Sequence, residues 1–141
     1  MKYRILSHIA DLKIEVYGKT VEELFINAAE ALAYILAPSI KNLMAGRPGK
    51  ISTSLQEFIQ IQSGDLNALL VDFLNEILSK SHINKAVYFV DNLKIKNQRV
   101  EAGLSVFRVD KFEEDVKAVT YHETNIEQKA DHWQTKLVLD I

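Results

Sequence analysis

The 141-residue chain contains no cysteine, only two prolines and five glycines. The absence of cysteine excludes a disulfide framework, thiolate metal sites, iron–sulfur ligation and a cysteine nucleophile, and it fits a reducing, cytoplasmic location. A glycine-rich phosphate loop, a nucleophile elbow, a His-Glu-x-x-His pair and an EF-hand loop are also missing. The motifs of the common enzyme classes are therefore absent.

The chain also lacks long apolar runs and an excess of charge of one sign. Its 17 Lys and Arg residues against 19 Asp and Glu residues give a net charge of -2, so overall charge does not favour direct binding to nucleic acid. The longest apolar stretch, Ala31 to Ala37, is far shorter than the roughly 18 residues of a membrane span. We expect no membrane association.

The length and apolar content are those of one folded domain. A chain of this size falls within the usual range of about 100 to 200 residues per domain. Its hydrophobic fraction of 48% can bury about two-thirds of the surface of the unfolded chain. A single domain over residues 1–141 is the prediction.

Two amphipathic helices are expected. The first begins after Thr20, whose hydroxyl can cap the amide of Glu23, and it ends before Pro38, which cannot continue the helix. The second follows Asp65 and carries a wide apolar face of leucine, isoleucine and phenylalanine, which suits packing on a sheet.

Extended segments make up most of the remaining chain. Alternation with a period of two predicts strands near residues 2–6 and 12–16. Further extended segments are predicted over residues 51–61, 86–90, 93–96, 100–107, 116–122 and 133–139. Turns are predicted at Asp91-Asn92, Asn97-Gln98 and Ala130-Asp131. The predicted fold class is α+β: a sandwich of two helices packed on a mainly antiparallel sheet of about six to seven strands.

Oxygen and imidazole groups lie at the ends of the predicted strands. His8 and Asp11 follow the first strand, His122 follows the sixth, and Asp140 precedes the carboxylate of Ile141. If these strand ends meet, the oxygen atoms suit a hard cation such as calcium or magnesium. The ordinary alternative is an aspartate that caps a turn and another that is solvated near the end of the chain. The residues alone leave both interpretations open.

These residues belong to a pattern that resembles the archease family and that covers nearly the whole chain. Its most specific parts are His-Ile-Ala-Asp at 8–11, Val-Lys-Ala-Val-Thr-Tyr-His at 116–122 and Asp-Ile at 140–141. Its other matching positions are Gly18, Glu22 to Phe25, Ala28, Ala29, Asp65, Leu66, Leu69, Leu70, Phe73 and Leu74. No part is specific alone, but their order and separations together are.

The resemblance implies a cytoplasmic protein factor with no catalytic residues of its own. It would activate the tRNA-splicing RNA ligase that joins 2',3'-cyclic phosphate and 5'-hydroxyl RNA ends. The implied activity is promotion of the guanylylation of the ligase by GTP and of its multiple turnover, with the ligase as partner and GTP shared with it. The implied metal is calcium, with magnesium or manganese as alternatives, and its ligands match Asp11, Asp140 and Ile141.

Three further residues are candidates for supporting the site or contacting the partner. The lysine of the family's Val-Lys-Ala segment matches Lys117, which is either a contact to phosphate or partner or a solvated strand residue. His8 is expected to orient Asp11 through a hydrogen bond rather than to bind metal. His122 is either a partner contact or an ordinary residue at a strand end.

The chain departs from the family pattern at some positions. Ile9 stands where the family usually has threonine, and Leu104 follows Gly103 where a glutamate is common. The connection up to Glu114 also lacks the usual histidine. We expect peripheral contacts to differ.

Two other functions remain open from the sequence. A small metal-dependent phosphoesterase could use Asp11 and Asp140, although no clear general base accompanies them. A chaperone or specificity modulator of an RNA-modifying methyltransferase is the other, a role also associated with the family. His82, His132 and Trp133 are assigned no function.

Overall fold

The computed structural model describes residues 1–8, 10–41 and 56–141, with residue 8 described by its backbone alone. Ile9 and the first part of the strand predicted over 51–61 lie outside this described part. The two long helices are α1 (Val21–Leu36) and α2 (Leu66–Asn84). The strands, in chain order, are β1 (Tyr3–His8), β2 (Asp11–Gly18), β3 (Gln56–Gln62), β4 (Ala86–Lys96), β5 (Arg99–Arg108), β6 (Ala118–Thr120), β7 (Glu127–Gln128) and β8 (Trp133–Asp140).

Both helices begin at the predicted caps. The Thr20 hydroxyl accepts a hydrogen bond from the amide of Glu23 at 3.0 Å, and the Glu23 carboxylate accepts one from the amide of Lys19 at 3.2 Å. The Asp65 carboxylate accepts one from the amide of Ala68 at 2.8 Å. These bonds satisfy amides that lack a partner within the helix.

The strands form two antiparallel sheets. The first has the order β1-β2-β8-β6, with β7 also paired to β8, and the second has the order β3-β5-β4. The predicted class is thus confirmed, but the strands divide between two sheets and include β7, whose two residues are too few to show alternation.

The turn predicted at Asp91-Asn92 is wrong. β4 continues through this point with a bulge between Val90 and Asn92. The Asn92 carboxamide oxygen accepts a hydrogen bond from the amide of Gly103 on β5 at 3.2 Å, so a residue typical of turns serves a cross-strand contact. The predicted turn at Asn97-Gln98 is confirmed, with φ of 52° and 61°, as a two-residue hairpin requires.

The core lies between the helices and the two sheets. α1 packs on β2 and β4, and α1 meets α2 through Phe25 and Phe73, whose ring centroids are 5.7 Å apart. Gly18 is required where β2 meets α1, because a Cβ there would lie 2.3 Å from the amide nitrogen of Leu24. No helix in the described part of the chain is long and apolar enough to cross a membrane.

Candidate functional site

Asp11 and Asp140 lie directly opposite each other. β2 begins at Asp11, β8 ends at Asp140, and the antiparallel register pairs these two residues. Residues paired in this way point to the same face of the sheet, with Cβ atoms about 4.5 to 5.5 Å apart. Their neighbours Leu12 and Leu139 are buried in the core, so both aspartates lie on the outer face.

The chain before β6 joins the same point of the sheet. Ala118 is paired with Asp140, and the amide of Lys117 donates a hydrogen bond to the Asp140 carbonyl oxygen at 2.7 Å. The Lys117 side chain is exposed, whereas Ile141 is partly buried and packs against the core. The structure therefore brings together Asp11, Asp140, Ile141 and the backbone of Lys117.

His122 lies on a turn that follows β6 and bends toward β2. The next residue, Glu123, has a φ of 65° and pairs with Lys13 of β2 across 2.9 Å. The hydrogen bond from Lys13 lowers the pKa of Glu123, and the same contact raises the pKa of Lys13. The His122 side chain is exposed. The backbone of His8 is paired with Leu12, but its side chain lies outside the described part of the structure.

The donor set of the acid pair suits a hard cation. Two carboxylates directly opposite each other on a sheet are unfavourable. Among the described ion pairs neither aspartate takes part: Lys13, whose charge interacts with Asp11, forms its ion pair with Glu123. Within residues 10–41 and 56–141, no group of three His, Cys, Asp or Glu residues is placed to hold a metal. Main-chain oxygens and water would have to complete the shell, as calcium and magnesium allow.

Sequence comparison places the chain among known proteins. The model of the family described as Archease protein family (MTH1598/TM1083) matches residues 3–141. The chain belongs to the archease family. It is similar to the protein archease of Methanosarcina barkeri, with 34% identity over 99% of this chain and 96% of the relative, and to that of Pyrococcus furiosus, with 36% identity over 95% and 94%.

Two solved structures share the fold of this archease family member. The solution structure of protein 1598 from Methanobacterium thermoautotrophicum matches with a TM-score of 0.75 and 21% identity, covering 99% of this chain and 98% of that one. The crystal structure of a Thermotoga maritima archease, described as a possible chaperone, matches with a TM-score of 0.66 and 20% identity, covering 96% and 94%.

A cleft of about 630 Å³ lies at the opposite end of β2, lined by Tyr17, Gly18 and Asn27 among others. Its polar groups are largely paired with protein atoms. The side-chain nitrogen of Asn27 donates to the Tyr17 carbonyl oxygen at 2.7 Å. His132 Nδ1 lies 2.6 Å from an Asp131 carboxylate oxygen, and His132 Nε2 lies 2.8 Å from the side-chain oxygen of Gln134. The cleft is therefore not part of the candidate site at Asp11 and Asp140.

Sequence reasoning missed a polar network farther along the outer face of β2. The Tyr17 hydroxyl donates to the Glu15 carboxylate, and Arg4 of β1 lies 3.2 Å from it. The hydrogen bond from Tyr17, and then the charge of Arg4, hold the pKa of Glu15 below its ordinary value. The alternation of β2 could have revealed this network, because Asp11, Glu15 and Tyr17 share one face.

Glu15→Gln should make the free energy of unfolding less dependent on pH. A carboxyl group whose pKa is lowered in the folded state stabilises the fold at pH values above its pKa in the unfolded chain, near 4.5. This stabilisation is lost as pH falls through the pKa of the folded state. Urea unfolding at a series of pH values checks this. The difference between parent and variant should be largest at neutral pH and shrink in acid; a difference that is constant across the series would contradict the assignment.

Proposed function

We propose that this archease family member is an activator of the tRNA-splicing RNA ligase and that it acts through the acid pair Asp11 and Asp140 together with a divalent cation. The observation that supports the proposal is the register of β2 and β8, which sets two aspartates from opposite ends of the chain side by side. A pair of facing like charges is costly for the fold. A functional role, and not a contribution to stability, explains why the chain has this pair.

The acid pair and the main-chain oxygens of Ile141 would hold the cation, which is calcium in this proposal, with magnesium or manganese as alternatives. A bound divalent cation supplies positive charge that offsets the charge of phosphate groups during phosphoryl transfer. The protein's own contribution is positional. β2 holds Asp11 opposite Asp140, and the Lys117 amide fixes the Asp140 carbonyl oxygen.

The exposed side chains around the acid pair would contact the partner. Lys117 and His122 are exposed beside β6. There the positive charge of Lys117 could bind phosphate or an acidic surface of the ligase. His8 would orient Asp11. In this proposal GTP is shared with the ligase, and the chain has no catalytic residue and no stable contact with RNA.

A second candidate is a chaperone role toward an RNA-modifying enzyme. The description of the Thermotoga maritima relative as a possible chaperone supports it. Both candidates require a protein partner, but only the activator changes the covalent chemistry of an RNA ligase.

The test is multiple-turnover RNA joining by a cognate tRNA-splicing RNA ligase, with GTP and calcium. A substoichiometric amount of this protein should restore turnover after the first round of joining. The protein alone should neither join RNA nor hydrolyse a phosphoester. Unchanged joining together with a changed product pattern of an RNA methyltransferase would replace the activator proposal by the chaperone role.

A further inference from the structure

The strand next to Asp140 is held from its other side by a side chain. β6 has only three residues and pairs with β8 along one edge. On its other edge β6 contacts the side chain of Asn75 on α2. The side-chain nitrogen of Asn75 donates to the Val119 carbonyl oxygen at 2.8 Å, and the backbone amide of Val119 donates to the side-chain oxygen of Asn75 at 2.9 Å. The carboxamide thus makes both hydrogen bonds that a neighbouring strand would make.

The contact at Val119 is one residue along β6 from the residue that is paired with Asp140. Val119 follows Ala118, the residue paired with Asp140, and the amide of Lys117 binds the Asp140 carbonyl oxygen. An edge strand of three residues has few bonds of its own to fix its register. The two bonds from Asn75 add to the few that hold β6 beside the end of β8.

α2 contacts the same segment at further points. A ring nitrogen of His82 lies 2.8 Å from the Val116 carbonyl oxygen, and the amide of Ile126 donates to the Asn67 carboxamide oxygen at 2.8 Å. His82 is therefore part of a structural contact and not an isolated surface residue. Of these three α2 side chains, Asn75 alone binds β6 itself, and it does so through both a donor and an acceptor.

We infer that Asn75 is a positioning residue for the acid pair. It holds β6 against β8 so that Asp140 stays opposite Asp11 with its carbonyl oxygen bound to Lys117. The inference rests on the proposed cation site at Asp11 and Asp140, and it assigns a residue of α2 to that site. The contact passes through backbone atoms, so Asn75 acts without touching the cation.

The chain offers a matched control on the same helix. Asn67, like Asn75, is half-buried on α2 and binds backbone of the segment between β6 and β8. Its partner Ile126 precedes β7, which is paired with Gln134 and Trp133, six or seven residues from Asp140 along β8. At about 3.3 Å per residue this is roughly 20 Å from the acid pair.

The experiment compares Asn75→Leu and Asn67→Leu in the full chain. Calorimetry measures the calcium affinity, and thermal unfolding without calcium measures the stability of each variant. We expect both variants to lose stability, and Asn75→Leu to lose more, because it leaves two backbone groups without their side-chain partner and Asn67→Leu leaves one. Only Asn75→Leu should also weaken calcium binding, by about tenfold as for other residues that orient metal ligands.

A second variant keeps the inference testable if Asn75→Leu does not fold. Asn75→Asp keeps an acceptor for the Val119 amide but places a carboxylate oxygen against the Val119 carbonyl oxygen, two acceptors with no proton between them, so calcium affinity should fall in this variant as well. Asp140→Asn reports on the site itself. If Asp140→Asn weakens calcium binding and neither Asn75 variant does, the positioning role is wrong and the site stands. If Asp140→Asn has no effect either, the cation site itself is wrong.

Discussion

Replacing either aspartate of the acid pair by asparagine should abolish the activation of the ligase. Asp11→Asn and Asp140→Asn each remove one of two facing carboxylates and leave the strand pairing unchanged. Calcium affinity should fall at least about tenfold in each. If both residues act on one ion, the double variant should activate no worse than either single variant, because groups that work as a unit are not additive.

The same substitutions should not destabilise the protein without calcium. Removing one of two like charges directly opposite on a sheet should leave the free energy of unfolding unchanged or raise it by up to about 1 kcal/mol. Added calcium should then raise the melting temperature of the parent more than that of the variants. Asp110→Asn, in the exposed segment after β5, is the matched control and should behave as the parent. Equal calcium shifts in Asp11→Asn and the parent would remove Asp11 from the site.

Adding residues after Ile141 should abolish activation while the fold persists. Such an extension turns the carboxylate of Ile141 into a neutral peptide carbonyl and places new chain beside Asp140. The paired residues of β8 end at Asp140, so circular dichroism should be unchanged. Deleting Asp140 and Ile141 should have the same effect on activation, but it also removes the acceptor of the Lys117 amide and should lower stability.

The control for this prediction is the same extension before Met1, a residue that is 89% exposed. That protein should activate as well as the parent. Full activation by the protein extended after Ile141 would exclude the carboxylate of that residue from the site.

Several features of the fold could be predicted from the sequence because they depend on local chemistry. Thr20 and Asp65 cap their helices through contacts within three residues, and the alternation of β2 separates its buried from its outer residues. The bulge at Asp91 could not be predicted, because it depends on how β4 pairs with β5, where Asn92 contacts Gly103. The division into two sheets depends on pairings that span the whole chain.

The candidate site was predictable only in part, for the same reason. Asp11 and Asp140 were candidates from the sequence, but their direct opposition depends on the register of β2 and β8. Asn75 gave no signal, because a single asparagine in an apolar helix reads as a solvated residue. Its two bonds to Val119 exist only once α2 has packed beside β6.

The most direct test of the account is transfer of labelled GMP from GTP to the cognate RNA ligase. Three reactions with calcium are compared: ligase alone, ligase with a substoichiometric amount of this protein, and ligase with the Asp11→Asn, Asp140→Asn double variant. We expect faster covalent GMP attachment with the parent protein and no acceleration with the double variant. Equal labelling in all three reactions, or acceleration by the double variant equal to that by the parent, would contradict the activator proposal.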